Sequence, residues 1–158
     1  MVNFIHPSAV IIRDVKFGDC CSVWPGAVIR GDKNSIRFGN YCNVQDNVIV
    51  HTDHEHKVEI GDYVSLGHGC IVHGCKIGNN VIIGMGAIIL TGAEIPDNVI
   101  IGAGALVTEN KELEPNSVYV GVPARKIRDL KEGEEEFIRE NALTYWKLAQ
   151  TYLKGDNK

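Results

Sequence analysis

The 158-residue sequence predicts a mostly β protein, a parallel β-helix with one α-helix at its C-terminal end. Two features carry that prediction. An aliphatic or aromatic residue returns every six positions from Ile5 to Val107, and a stretch after position 133 switches to helical spacing. The single-domain length can bury roughly 70% of the unfolded chain's surface.

The repeat runs through Ile5, Ile11, Phe17, Val23 and Ile29, then Phe38, Val44 and Val50, then Ile60, Leu66 and Val72. A step of five reaches Ile77, and the rhythm resumes at Ile83, Ile89, Ile95, Ile101 and Val107. Period six is neither the 3.6 of a helix nor simply the 2 of a strand. It suits very short strands between corners, three to a coil, with coils stacked about 4.8 Å apart. Glycine often follows the apolar residue, as at Gly18, Gly39, Gly61, Gly78 and Gly84, and is expected to take positive φ at the corners. Small residues four positions after it, Cys21, Ala27, Cys42, Cys70, Ala87 and Ala105, are expected inside. Interruptions near Lys33-Asn34-Ser35 and within Asp53 to Lys57 are expected as outward loops close to a working surface. Residues 1–122 form the predicted β-helix segment, and residues 123–158 a linker and helix. That helix spans about Glu134 to Lys154, with Phe137, Ile138, Ala142, Tyr145, Ala149 and Tyr152 facing the prism. Acidic residues at its start suit the helix dipole.

Net charge of −4 offers no basic field, which excludes nucleic acid as a natural partner. No apolar run approaches the ~20 residues of a membrane helix, and no signal-peptide pattern opens the chain. A cytoplasmic protein is expected. Five cysteines cannot all pair; Cys21, Cys42 and Cys70 read as small core residues, with Cys75 an alternative metal ligand near His73.

Five of the six histidines fall between positions 51 and 73. Stacking the repeats puts Arg30, His51, His73 and Leu90 in one column, so the two histidines have Cα atoms ~5 Å apart, close enough to share a metal ion. A second column holds Pro25, Asp46, His68 and Met85, beside Trp24, Gln45, Gly67 and Gly84. His68 then lies roughly 15 Å from His73 along the same coil. Metal–nitrogen bonds of ~2.0–2.1 Å cannot close that gap. If the three histidines serve one metal, His68 comes from a neighbouring copy, which predicts a trimer with sites between subunits. His6, His54 and His56 have no column partner and default to solvated side chains.

At Arg30-Gly-Asp32, Asn43-Val-Gln45-Asp46, His51 and His68-Gly-Cys-Ile-Val-His73 the chain resembles the gamma-class carbonic anhydrases of the hexapeptide-repeat superfamily. The resemblance implies a left-handed coil, against the usual right-handed crossover. It also implies a homotrimer with Zn2+, or alternatively Fe2+ or Co2+, at each interface. His51, His68 and His73 match the metal ligands, Gln45 the partner of a metal-bound hydroxide, and Asn43 the residue that orients Gln45. Arg30 and Asp46 match an interfacial ion pair, with Asp32 as a second acid. The implied activity is reversible hydration of CO2 to bicarbonate. The family's best-studied branch carries a longer acidic loop with a proton-ferrying glutamate; here His54 or Glu55 would stand in, since a histidine titrates near neutrality. Tyr145 or Tyr152 would supply an aromatic near the substrate. Two other functions stay open: a non-catalytic metal-binding or scaffold trimer, and a CoA-dependent acyltransferase, which the Gly121-Val-Pro-Ala-Arg125 segment would suit.

Overall fold

Strands of mostly two or three residues pair in parallel with their counterparts one coil away, giving a left-handed hexapeptide β-helix of about six turns. The computed structural model describes residues 3–155, so residues 1–2 and 156–158 of the two predicted segments lie outside the described residues. One face stacks Phe4–Ile5, Ser22–Val23, Asn43–Val44, Val64–Leu66, Val81–Ile83, Val99–Ile101 and Ser117–Val120. A second carries Ile49–His51, Ile71–His73, Ile88–Ile89 and Leu106–Val107, and a third Val58–Ile60, Lys76–Ile77 and Glu94–Ile95. The long strands Val10–Lys16 and Val28–Phe38 bend around the edge and tie these last two faces into one ladder. The insertion at Lys33-Asn34-Ser35 is therefore absorbed into strand rather than thrown out as a loop, and the Asn34 amide N–H donates to Thr52 Oγ1.

The core is the period-six set. Val23, Val44, Leu66, Ile83 and Ile101 stack in register, as do Ile29, Val50, Val72, Ile89 and Val107, and nearly all are sealed from solvent. Cys21, Cys42, Cys70 and Cys75 fill small interior positions. Cys75, the alternative ligand near His73, lies inside the core rather than in the outward histidine column, and burial pushes its thiol up to about 12.

The glycine expectation needs correcting. Gly39, Gly61, Gly78 and Gly84 do not have positive φ. A Cβ on Gly61 would stand 2.7 Å from the Gly78 carbonyl oxygen, and one on Gly84 2.5 Å from the Ala103 nitrogen. These glycines let one coil's backbone lie against the next. The left-handed corners fall elsewhere, at Gly69, Gly86 and Gly104 on one edge and at Tyr41, Tyr63, Asn80, Asn98 and Asn116 on another. Asparagine tolerates that conformation, and here the Asn80 and Asn98 side-chain amides donate along the column to Asn98 and Asn116.

After Ser117–Val120 the chain turns through Gly121-Val-Pro-Ala and returns antiparallel as Arg125–Asp129. Helix α1 (Glu134–Leu153) then lies along the first face. Arg128 grips Glu134 with two bonds of 2.7 and 2.8 Å, fixing where the helix begins. The buried stripe is Ile138, Ala142, Trp146 and Ala149. Phe137, expected to face the prism, is 60% exposed, while Trp146 takes a buried place. Tyr145 and Tyr152 pack on Trp24, and Tyr152 also on Phe4. Among the described residues no helix is long and apolar enough to cross a membrane.

Candidate metal centre

Parallel pairing sets Arg30 beside His51 and His51 beside His73. The two imidazoles meet edge to face with ring centroids 5.2 Å apart, and His51 Nδ1 lies 3.2 Å from His73 Nε2. Two nitrogens each ~2.0–2.1 Å from one tetrahedral ion stand about 3.3 Å apart, so this pair is spaced as two ligands of a single cation.

The neighbours prepare those nitrogens. Asp32 Oδ1 lies 3.0 Å from His51 Nε2, and Arg30 Nη1 donates to Asp32 Oδ2 at 2.6 Å. The Arg30 hydrogen bond, with help from His51, holds the Asp32 carboxyl down at about 2. An ionised carboxylate only accepts, so His51 Nε2 carries the proton and Nδ1 turns its lone pair toward His73. On the other side His73 Nδ1 is 2.8 Å from Thr91 Oγ1. Burial, then the nearby His51, pulls the His73 pKa below its ordinary value and favours the neutral, ligating form.

His68 stands at the opposite edge of the coil, in the column with Asp46. Asp46 Oδ1 lies 3.0 Å from His68 Nδ1, which leaves Nε2 directed away from that bond, on a side chain 47% exposed. Among the described residues no three His, Cys, Asp or Glu side chains converge on a point where they could hold a metal. In one chain, then, Arg30 pairs with Asp32, and Asp46 pairs with His68.

Gln45 is buried beside His68. Its Oε1 accepts the His68 backbone N–H at 3.1 Å, and its Nε2 donates to Asn43 Oδ1 at 3.0 Å. An open cleft of about 280 Å³ starts at Gln45 and His68 and runs between Ile82, Met85, Ile100, Phe137 and Tyr145. It is mostly apolar and smaller than the ~300–1,000 Å³ typical of organic-ligand sites. Burial and then Asp46 raise the Tyr145 phenol above its usual range. Tyr152 belongs instead to the aromatic cluster with Phe4 and Trp24.

In the loop after His51, Asp53 accepts the backbone N–H groups of Glu55 and His56, and its Oδ1 lies 2.9 Å from His56 Nδ1. His54 contributes its carbonyl to Asn34, and the Glu55 side chain is exposed. His56, read from sequence as merely solvated, is clamped by Asp53 with its Cβ directly over Gly74, next to His73. No repeat position could have indicated this, because the loop interrupts the repeat. Ser65 and Thr91 were also missed, although both occupy repeat columns beside residues already singled out. Asn141 was missed because its contact to Ser65 spans 76 residues.

Comparison with known proteins places this site in context. The profile described as "Bacterial transferase hexapeptide (six repeats)" matches residues 74–109. A probable carbonic anhydrase of Methanocaldococcus jannaschii is 57% identical, over 93% of this chain and 92% of its own. Gamma carbonic anhydrase 1 of Arabidopsis thaliana, mitochondrial, is 39% identical over 98% of this chain, which spans 58% of that relative's length. Among solved structures, a hexapeptide transferase family protein from Anaplasma phagocytophilum superposes with a TM-score of 0.86 at 35% identity, covering 95% of this chain and 92% of that one.

Proposed function

Because the chain belongs to the gamma carbonic anhydrase family of hexapeptide-repeat proteins, we propose that it interconverts CO2 and bicarbonate at a divalent-metal site completed between copies of itself. The observation that carries this reading is the 3.2 Å approach of His51 Nδ1 and His73 Nε2, each backed by a polar partner on its other nitrogen. His51 and His73 of one copy and His68 of a second would hold the ion. A nitrogen donor set of this kind suits Zn2+, Co2+ and Fe2+. When bound, the cation makes a water acidic near neutrality and so supplies the nucleophile that CO2 needs.

The second copy has a surface to dock on. Val10, Val28, Ile49, Ile71, Ile88 and Leu106 form an outward aliphatic column beside the histidine column, with Val10, Ile49 and Ile71 exposed. Covering such a stripe is favourable at about 25 cal/mol per Å². A threefold arrangement brings the His68 edge of one prism to the His51–His73 edge of the next. Arg30 and Asp46 then come close enough to pair across the interface while Asp32 keeps its hold on His51.

The chain's own residues do the rest. Gln45 lines the cleft with His68 and keeps one amide N–H beyond its bond to Asn43, which would donate to a reacting oxygen, and Asn43 keeps that amide from turning over. The apolar wall of Ile82, Ile100, Met85 and Phe137 favours entry of uncharged CO2 over ions. A base must then remove a proton. His56, oriented by Asp53 and packed over Gly74, joins His54 and Glu55 as the group suited to pass it to solvent.

The test is direct: purify the protein anaerobically, measure metal per chain and solution mass, and follow CO2 hydration by stopped flow with zinc, cobalt and iron. One ion per chain in a trimer, with hydration above the buffer rate, is expected. Bound metal with no hydration would leave a metal-holding scaffold, and a metal-free monomer would end the proposal.

A further inference from the structure

We propose that Ser65 and Asn141 are positioning residues, through which helix α1 fixes the orientation of the Gln45 amide. A continuous chain of hydrogen bonds links helix to site. Asn141 Nδ2 donates to Ser65 Oγ at 2.9 Å, and Asn43 Nδ2 donates to the same oxygen at 2.8 Å. Asn43 Oδ1 accepts from Gln45 Nε2, and Gln45 Oε1 accepts from the His68 backbone.

The direction of the relay is forced from its far end. The His68 N–H can only donate, so the Gln45 atom facing it is the oxygen, and Nε2 must face Asn43. Asn43 meets it with its oxygen, which turns Nδ2 toward Ser65. Ser65 must therefore accept, and its hydroxyl is the point where rotation of Asn43 would begin if nothing else held it. Asn141, on a different element, supplies the second hold.

The column itself argues against a purely architectural role. Ser22, Asn43, Ser65, Ile82, Ile100 and Val118 occupy one outward column on the face that α1 covers. Three coils fill it with aliphatics, so the fold does not require polarity there. Only at the coils carrying Trp24, Gln45 and His68 does the column become Ser22, Asn43 and Ser65, each about 1% exposed. Burying such groups is unfavourable unless every one is bonded. Ser22 is used by the Trp24 indole N–H, and the other two by Gln45 and Asn141.

This inference deepens the CO2-hydration reading and rests on it for its catalytic consequence, but its structural core can be tested separately. Side-chain amide hydrogen exchange of Gln45, read by NMR on the protein without substrate, reports the relay whether or not the chain hydrates CO2. In Ser65→Ala and in Asn141→Ala the Gln45 Nε2 protons should exchange about tenfold faster, in line with one lost buried hydrogen bond. Ser65→Thr, which keeps the hydroxyl, should restore the original rate. In the metal-loaded protein kcat should fall by a similar factor in the two alanine variants, with KM and metal content unchanged. If Gln45 stays protected in both alanine variants, the relay is refuted. If both variants lose stability while Gln45 exchange and kcat hold, Ser65 and Asn141 serve packing alone and the inference is likewise overturned. A wild-type protein without hydration activity would sink the functional reading while the exchange data still decide the relay.

Discussion

Asp32 shows how much of the site one residue can set. It fixes the His51 tautomer, and Arg30 keeps it ionised down to about 2. Removing such a partner commonly weakens metal affinity 10–100-fold. Asp32→Ala is thus expected to raise the dissociation constant by that factor in a chelator-competition titration, with the fold intact by circular dichroism. The pH dependence follows from two depressed pKa values. Asp32 stays charged from neutrality to about pH 4 in either state, and what it adds to folding fades only as pH falls toward 2. His73 is different, because its folded pKa lies below the ordinary 6.5. On acidification the unfolded chain takes up that proton first, so stability falls as pH drops below 6.5, and at the proposed metal site protons would compete for the same nitrogen. Metal release tracked across pH 7 to 4 should occur in the histidine range, well above the titration of Asp32. Release confined to pH values below 4 would contradict the assignment.

At the scale of single coils and the helix, the two glycine classes should respond differently to a methyl group. Gly84→Ala drives a Cβ into the neighbouring backbone at 2.5 Å, and overpacking of this kind costs about 1–3 kcal/mol. At Gly86 nothing lies within 4 Å of an added Cβ, but φ is +67°. There the substitution costs only about 1 kcal/mol, because the penalty is the left-handed backbone alone. Urea denaturation of the two variants checks the order. Both glycines are visible in the sequence, yet the apolar-Gly pairs suggested corners and turned out to mark contact between coils. What was legible was the period-six column. From it came the core residues, the Arg30–His51–His73 stack and the placing of Asp46 with His68. Helix α1 was legible in extent but less so in its facing, since Phe137 and Trp146 exchange the roles that spacing suggested. Its aromatic contacts with Trp24 and Phe4 depend on how the hairpin at Ser117–Asp129 redirects the chain, which no local pattern encodes.

At the scale of the whole molecule the decisive fact is that a rigid coil separates His68 from His51 and His73. That separation follows from strand geometry, so the sequence already contained it; what lay beyond it was the loop at Asp53 to His56 and the distant Asn141 contact. A metal shared between copies is the feature most open to test. His51→Ala and His68→Ala should each abolish metal binding when produced alone. Co-expressed, the two variants would form mixed trimers of the proposed kind, in which an intact His51–His73 edge meets an intact His68 edge at about one interface in four by random assortment. Elemental analysis of the mixed assembly should therefore recover roughly a quarter of the wild-type metal, with CO2 hydration returning in proportion. No recovery in verified mixed trimers, or full metal content in the His68→Ala protein alone, would contradict a site built by two copies of the chain.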